Sequence, residues 1–147
     1  MKACAVLLAC LCGAQPLPSS GLPSVSASAF RCMTATLYHE ARGEGVAGMQ
    51  AVAQVVLRRA ANKATSVCSV VYASKQFSWA NTAKGRSKPL EGVSEVLLVV
   101  AYQALAGAYK DATGGATHYH AACVRPRWAK HMEKTATIGK HIFYKGV

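Results

Sequence analysis

Residues 31–62 read RCMTATLYHEARGEGVAGMQAVAQVVLRRAAN, and this stretch decides the fold. Met33, Leu37, Tyr38 and Ala41 recur at helical spacing over residues 31–42. Gly43 and Gly45 then end or kink that helix. Val46, Met49, Val52, Ala53, Val56 and Leu57 restore the three-four rhythm over residues 46–62. This second helix is apolar on more than one face, which predicts a central position. Arg58 and Arg59 fall in its last turn, where cations suit the helix dipole.

Downstream, a short apolar piece at 67–72 precedes a polar loop at 74–88. Pro89 suits the first turn of a third helix running to about Ala108. Residues 111–115 form a turn, and 116–120 alternate as an edge strand does. Residues 127–134 are expected to make one or two helical turns. Ile138-Gly139-Lys140-His141 reads as a hairpin corner flanked by Thr137 and by Ile142-Phe143-Tyr144. The fold class is therefore α+β, mainly α, with a small antiparallel sheet.

The chain has 147 residues, enough for one domain with its own core. Upstream of residue 30, Lys2 is followed by an apolar run to Ala14 and a Pro/Ser-rich stretch to Ala29. That pattern predicts a secretory signal and linker over 1–29 and a separate domain over 30–147, which the resemblance below implies is catalytic. Cleavage fits after Ala14 or after Ala27-Ser28-Ala29, the latter matching the small-x-small rule better. Leu7-Leu8-Ala9-Cys10 offers a third processing mode, with Cys10 acylated as a lipoprotein anchor. Secretion or a periplasmic, envelope location follows. Without the leader, Cys4, Cys10 and Cys12 are lost, and Cys32, Cys68 and Cys123 remain. That odd set has no Cys-x-x-Cys pair for zinc and allows one bridge in an oxidising compartment.

Lys and Arg exceed Asp and Glu by 17 to 6, a formal charge of +11 that processing lowers only to +10. Such an excess implies a polyanionic partner. Residues 125–147 carry six Lys/Arg against Glu133, which suits capture of an anionic cell envelope. The leader and the lack of a basic-aromatic motif argue against nucleic acid. With 52% hydrophobic and 16% charged residues the chain is no disordered basic tail.

Six acids can be weighed one by one. Glu91 and Glu95 suit an early helical turn, Asp111 a tight turn, and Glu133 a solvated surface. Glu40 differs, because it ends an apolar helix among aromatic and small residues. Desolvation there would raise its pKa and make it a general acid; simple pairing with Arg42 or a Lys is the alternative. Glu44, four residues on, is the nearest second carboxylate. Phe77 and Trp79 in Gln76-Phe77-Ser78-Trp79 suit stacking on sugar rings, or else anchor the core. His118 and His120 share one strand face, a spacing used by zinc peptidases, with His39, His141 or Asp111 available as further ligands.

Several blocks together resemble a known family. Tyr38-His39-Glu40-Ala41-Arg42-Gly43-Glu44 and Ala51–Leu57 are similar to the opening of the cell wall hydrolase domain of spore cortex-lytic enzymes. Val67–Tyr72, Gln76–Trp79, Gly115–His120 and Ile138–Tyr144 resemble its later blocks, in family order. The resemblance covers about residues 31–145. It implies a lysozyme-like helical domain that cleaves the glycan strands of peptidoglycan as a muramidase or lytic transglycosylase, without a cofactor or metal. It also implies Glu40 as the catalytic acid and a Cys32–Cys68 bridge with Cys123 free. Glu44, Phe77, Trp79, Tyr119 and His120 are then expected to shape the sugar subsites, with peptidoglycan as the partner of a monomer. One departure is that the family usually has Asn before Arg at the end of the second helix, where this chain has Arg58 before Arg59. A zinc-dependent peptidoglycan peptidase and a non-catalytic wall-binding module are the alternatives.

Overall fold

The computed structural model describes residues 21, 23–63 and 65–146. The apolar leader, Cys10 and the Ala14 cleavage point lie outside them. Among the described residues five α-helices precede three strands: α1 Ala27–Ala41, α2 Gly45–Asn62, α3 Val67–Val71, α4 Ala83–Ser87 and α5 Glu95–Leu105, then β1 His118–Ala121, β2 Glu133–Ile138 and β3 His141–Lys145. The strands form one antiparallel sheet in the order β1-β3-β2, so β1 is an edge strand as expected. No helix among the described residues is long and apolar enough to cross a membrane.

The Gly43–Gly45 break falls where expected. α1 stops at Ala41, the Glu44 N–H bonds the Ala41 carbonyl at 3.0 Å, and Gly45 opens α2 at φ +69°. α2 is central because it feeds two cores. Val52 and Val56 pack with Met33 and Leu37 of α1 and with Leu97 and Val100 of α5. Ala51 and Val55, on another face of the same helix, pack with Ala116 and with Phe143 of β3. Such burial contributes about 1.5–3 kcal/mol for each large apolar side chain. A disulfide joins Cys32 of α1 to Cys68 of α3 (Cα–Cα 5.4 Å), and Cys123 is free and exposed.

Four boundaries differ from expectation. α1 begins at Ala27, so the Ala27-Ser28-Ala29 triplet forms its first turn and the helical domain starts before residue 30. The third long helix starts at Glu95, not near Pro89, because Gly92 turns the chain at φ +64° and the Ser94 hydroxyl accepts the Leu97 N–H. The polar 74–88 loop holds a 3-10 turn at Ser78–Asn81 and α4, whose start Thr82 caps by accepting the Gly85 N–H. After a 3-10 turn at Arg127–His131 the chain enters β2 at Glu133. β2 is mostly polar and half exposed, with only Ala136 and Ile138 packing on the second core, so its pairing with β3 defines it.

Candidate active site

Glu40 lies in the last turn of α1, half-buried where the helix meets the 76–81 loop and β1. Its two oxygens are each engaged by a neutral donor. The Trp79 indole Nε1 donates to Oε1 at 3.1 Å, and the Tyr119 hydroxyl donates to Oε2 at 3.2 Å. Among the described residues no cation forms an ion pair with it. Arg42, the alternative partner, instead lies over the Tyr38 ring at 4.6 Å. Burial pushes the Glu40 carboxyl above its usual range, and the bonds from Tyr119 and Trp79 and the charges of His141 and Arg59 only partly offset this.

The donors are themselves fixed. The Trp79 ring stacks on His39 (centroids 4.4 Å apart, 20° between planes) and lies 6.2 Å from Phe77. Its backbone carbonyl is backed by Gly85, where an added Cβ would sit 1.9 Å from that oxygen. Burial, then the nearby Arg42 and Lys88, lower the His39 pKa, which favours the neutral ring against the indole. Tyr119 projects from β1 between His141 and Phe143 (centroids 5.1 and 5.7 Å). Burial, followed by the Glu40 charge, raises its phenol pKa well above the ordinary value, so it stays a donor. A cavity of about 520 Å³ opens beside this cluster, with His39 and Trp79 in its wall.

Arg59 ties the site together, a role that helix-dipole reasoning missed. Its Nε donates to the Thr117 carbonyl at 2.6 Å and a terminal nitrogen donates to Gln76 Oε1 at 3.0 Å. One half-buried guanidinium thus spans α2, the loop that carries Trp79 and the approach to β1. Burial lowers its pKa, opposed by the Tyr119 and Glu40 charges. The departure from the family at Arg58 also finds a local use. Its guanidinium pairs with Asp111 at 2.9 Å, and Asp111 accepts from Thr113 and Gly115 to close the 111–115 turn.

The other expected site residues are placed apart. Glu44 accepts the Lys140 N–H through Oε2 at 2.6 Å, and His141 Nδ1 lies 3.8 Å from the same oxygen. At Gly139 (φ +57°) a Cβ would come within 2.6 Å of it, so the hairpin tip closes on Glu44 only with glycine there. Phe77 is buried at 4% exposure and belongs to the main core, away from any sugar-stacking surface. His120 sits on the face of β1 opposite Tyr119. There it stacks on Tyr144, with Nε2 3.0 Å from that hydroxyl and Nδ1 2.8 Å from the Ala121 carbonyl. His118 on the same face bonds Thr117 and lies against Trp128. Among the described residues no three His, Cys, Asp or Glu side chains converge as a metal-ligand set.

Comparison with known proteins agrees with this architecture. A cell wall hydrolase family model matches residues 43–144, beginning three residues after Glu40. The chain is similar to the catalytic domain of the germination-specific lytic transglycosylase SleB of Bacillus anthracis, with 28% identity and a TM-score of 0.69 over 84% of this chain and 98% of that one. The catalytic domain of the Bacillus cereus SleB protein is similar too, at 28% identity and a TM-score of 0.68 over 84% and 94%. No curated protein gives a significant match. With the helical layer, the three-stranded sheet and most of the described chain held in common, the protein belongs to the cell wall hydrolase family.

Proposed function

We propose that this chain cleaves the glycan strands of peptidoglycan at the bond between N-acetylmuramic acid and N-acetylglucosamine, with Glu40 as the acid/base. The observation that carries this reading is a half-buried carboxyl, bonded among the described residues only to Trp79 and Tyr119 and raised in pKa by burial. Such a group holds its proton at a higher pH than a solvated glutamate and can deliver it to a leaving oxygen. The similarity to the SleB lytic transglycosylase domains points to the same chemistry.

The acid inventory favours an anhydro-forming reaction. A hydrolytic glycosidase of the usual kind needs a second carboxylate across the bond. Glu44 is engaged by Lys140, and Asp111 by Arg58 and its own turn. In the single-acid route Glu40 protonates the glycosidic oxygen as its bond to the muramic C1 breaks. The muramic C6 hydroxyl then attacks C1 and returns its proton to the Glu40 carboxylate, leaving a 1,6-anhydro ring. Trp79 and Tyr119 hold the carboxyl in place through both proton transfers and line the sugar path, whereas Glu44 braces the hairpin tip. Digestion of purified sacculi tests the proposal by mass spectrometry: 1,6-anhydro ends are expected, reducing ends would assign hydrolysis with Glu44 reconsidered, and released stem peptides would assign a peptidase.

The leader, with the bridge at Cys32–Cys68, supports export to an oxidising envelope compartment where the chain acts on the wall. The amino-terminal sequence of the exported protein distinguishes cleavage at 14 or 29 from acylation at Cys10.

A further inference from the structure

The cavity beside Trp79 is built for more than a neutral sugar. It is lined by Arg31 from α1 and by Arg86 and Lys88 from the α4 segment, and among the described residues no carboxylate lines it. Its floor is apolar, formed by Phe30, Tyr72, Leu90 and the Cys32–Cys68 bridge. In the wall stands Thr34, 6% exposed, whose hydroxyl has no hydrogen-bond partner among the described residues. A buried hydroxyl without a partner is costly, and a ligand amide would satisfy it. Trp79 links this cavity to Glu40, since the residue lines one and its indole bonds the other.

We infer that the cavity binds the acidic peptide stem carried by the muramic acid whose glycosidic bond Glu40 attacks. The stem's small apolar side chains match the floor, its amides reach the Thr34 hydroxyl, and its free carboxylates meet Arg31, Arg86 and Lys88. A neutral sugar ring uses none of the three cations. The enzyme thereby distinguishes peptide-bearing muramic acid from bare glycan. This inference rests on the proposed glycan-cleaving role, so its test is a binding measurement that needs no turnover.

Titration calorimetry with the Glu40→Gln protein compares N-acetylmuramyl-alanyl-glutamate with the diamide of the same compound. The acidic form is expected to bind tighter, with an advantage that shrinks as salt is raised. A doubly substituted Arg31→Gln/Lys88→Gln protein should lose about three- to tenfold of that affinity, the range for two exposed charge pairs. Thr34→Val should weaken binding by a similar factor, about that of one hydrogen bond, while leaving the melting temperature unchanged or higher. A purely structural Thr34 would alter melting and leave binding alone. Equal binding of acid and diamide, or variants that bind like the parent, overturns the inference. Failure of the unsubstituted enzyme to release muropeptides from sacculi would instead overturn the glycan-cleaving role, whatever the calorimetry shows.

Discussion

Replacing Glu40 by Gln removes the proton while keeping the shape, and the structure says what each change costs. Both carboxyl oxygens accept hydrogen bonds, from the Trp79 indole at 3.1 Å and from the Tyr119 hydroxyl at 3.2 Å. A glutamine keeps its carbonyl toward the indole, which can only donate. Its amide turns toward the phenol oxygen, which can accept. The Tyr119 O–H loses its acceptor in this arrangement, but no charge is buried, so stability should fall by about 1–2 kcal/mol. Catalysis fares otherwise, because a positioned general acid is worth roughly 10²–10⁴-fold, about 3–5.5 kcal/mol of barrier. The assay is the initial rate of muropeptide release from purified sacculi, run beside thermal melting of the same protein. A folded variant that keeps more than about a tenth of the rate would refute Glu40 as the acid.

The raised Glu40 pKa gives the pH profile its sign. Activity should persist below the folded pKa and fall as pH rises through it, and Trp79→Phe, which deletes a bond that favours the carboxylate, should move that limb to higher pH. Stability follows the same direction: the native state holds this proton more tightly than the unfolded chain, so the contribution is full below the unfolded value and lost as pH rises through the folded one. Glu44→Ala should cost about 0.5–1.5 kcal/mol by exchanging the bond from the Lys140 N–H for one to water, whereas Glu44→Gln, which still accepts that bond, should retain muropeptide release; a hydrolytic second carboxylate would not survive that change. Gly85→Ala forces a Cβ toward the Trp79 carbonyl and should lower both melting temperature and activity, by about 1–3 kcal/mol in stability. Loss of the Cys32–Cys68 bridge, which spans 36 residues, should cost roughly 4 kcal/mol, read as a lower denaturation midpoint in the double Ala variant.

Much of this protein was legible along the chain. Helical periodicity located α1 and α2, and the two apolar faces of α2 announced its place between two cores, since a helix hydrophobic all round must be covered on every side. The Gly43–Gly45 break and the edge position of β1 followed from local chemistry alone. Glu40 stood out because acids are scarce and it alone ends an apolar helix. The blocks from Tyr38 to Tyr144 pointed to the family in the same way.

Tertiary structure decided what local patterns leave open. Helix start is a competition among nearby turns, so Ser94 and Gly92 displaced Pro89 through contacts that periodicity does not register. β2 is mostly polar and half exposed, and its ladder to β3 makes it a strand. Phe77 and Trp79 are two residues apart, yet packing buries one in the core and brings the other's N–H to Glu40. Alternation along β1 likewise sends Tyr119 toward the acid and His120 to the far face. Arg59 carries no local signal for its role, because its partners come from Gln76 and Thr117, 17 and 58 residues away. Sequence alone determined which residue types were present and the period on which they recur. The environment that raises the Glu40 pKa depends on desolvation and on side chains from distant segments, and only the folded chain supplies those.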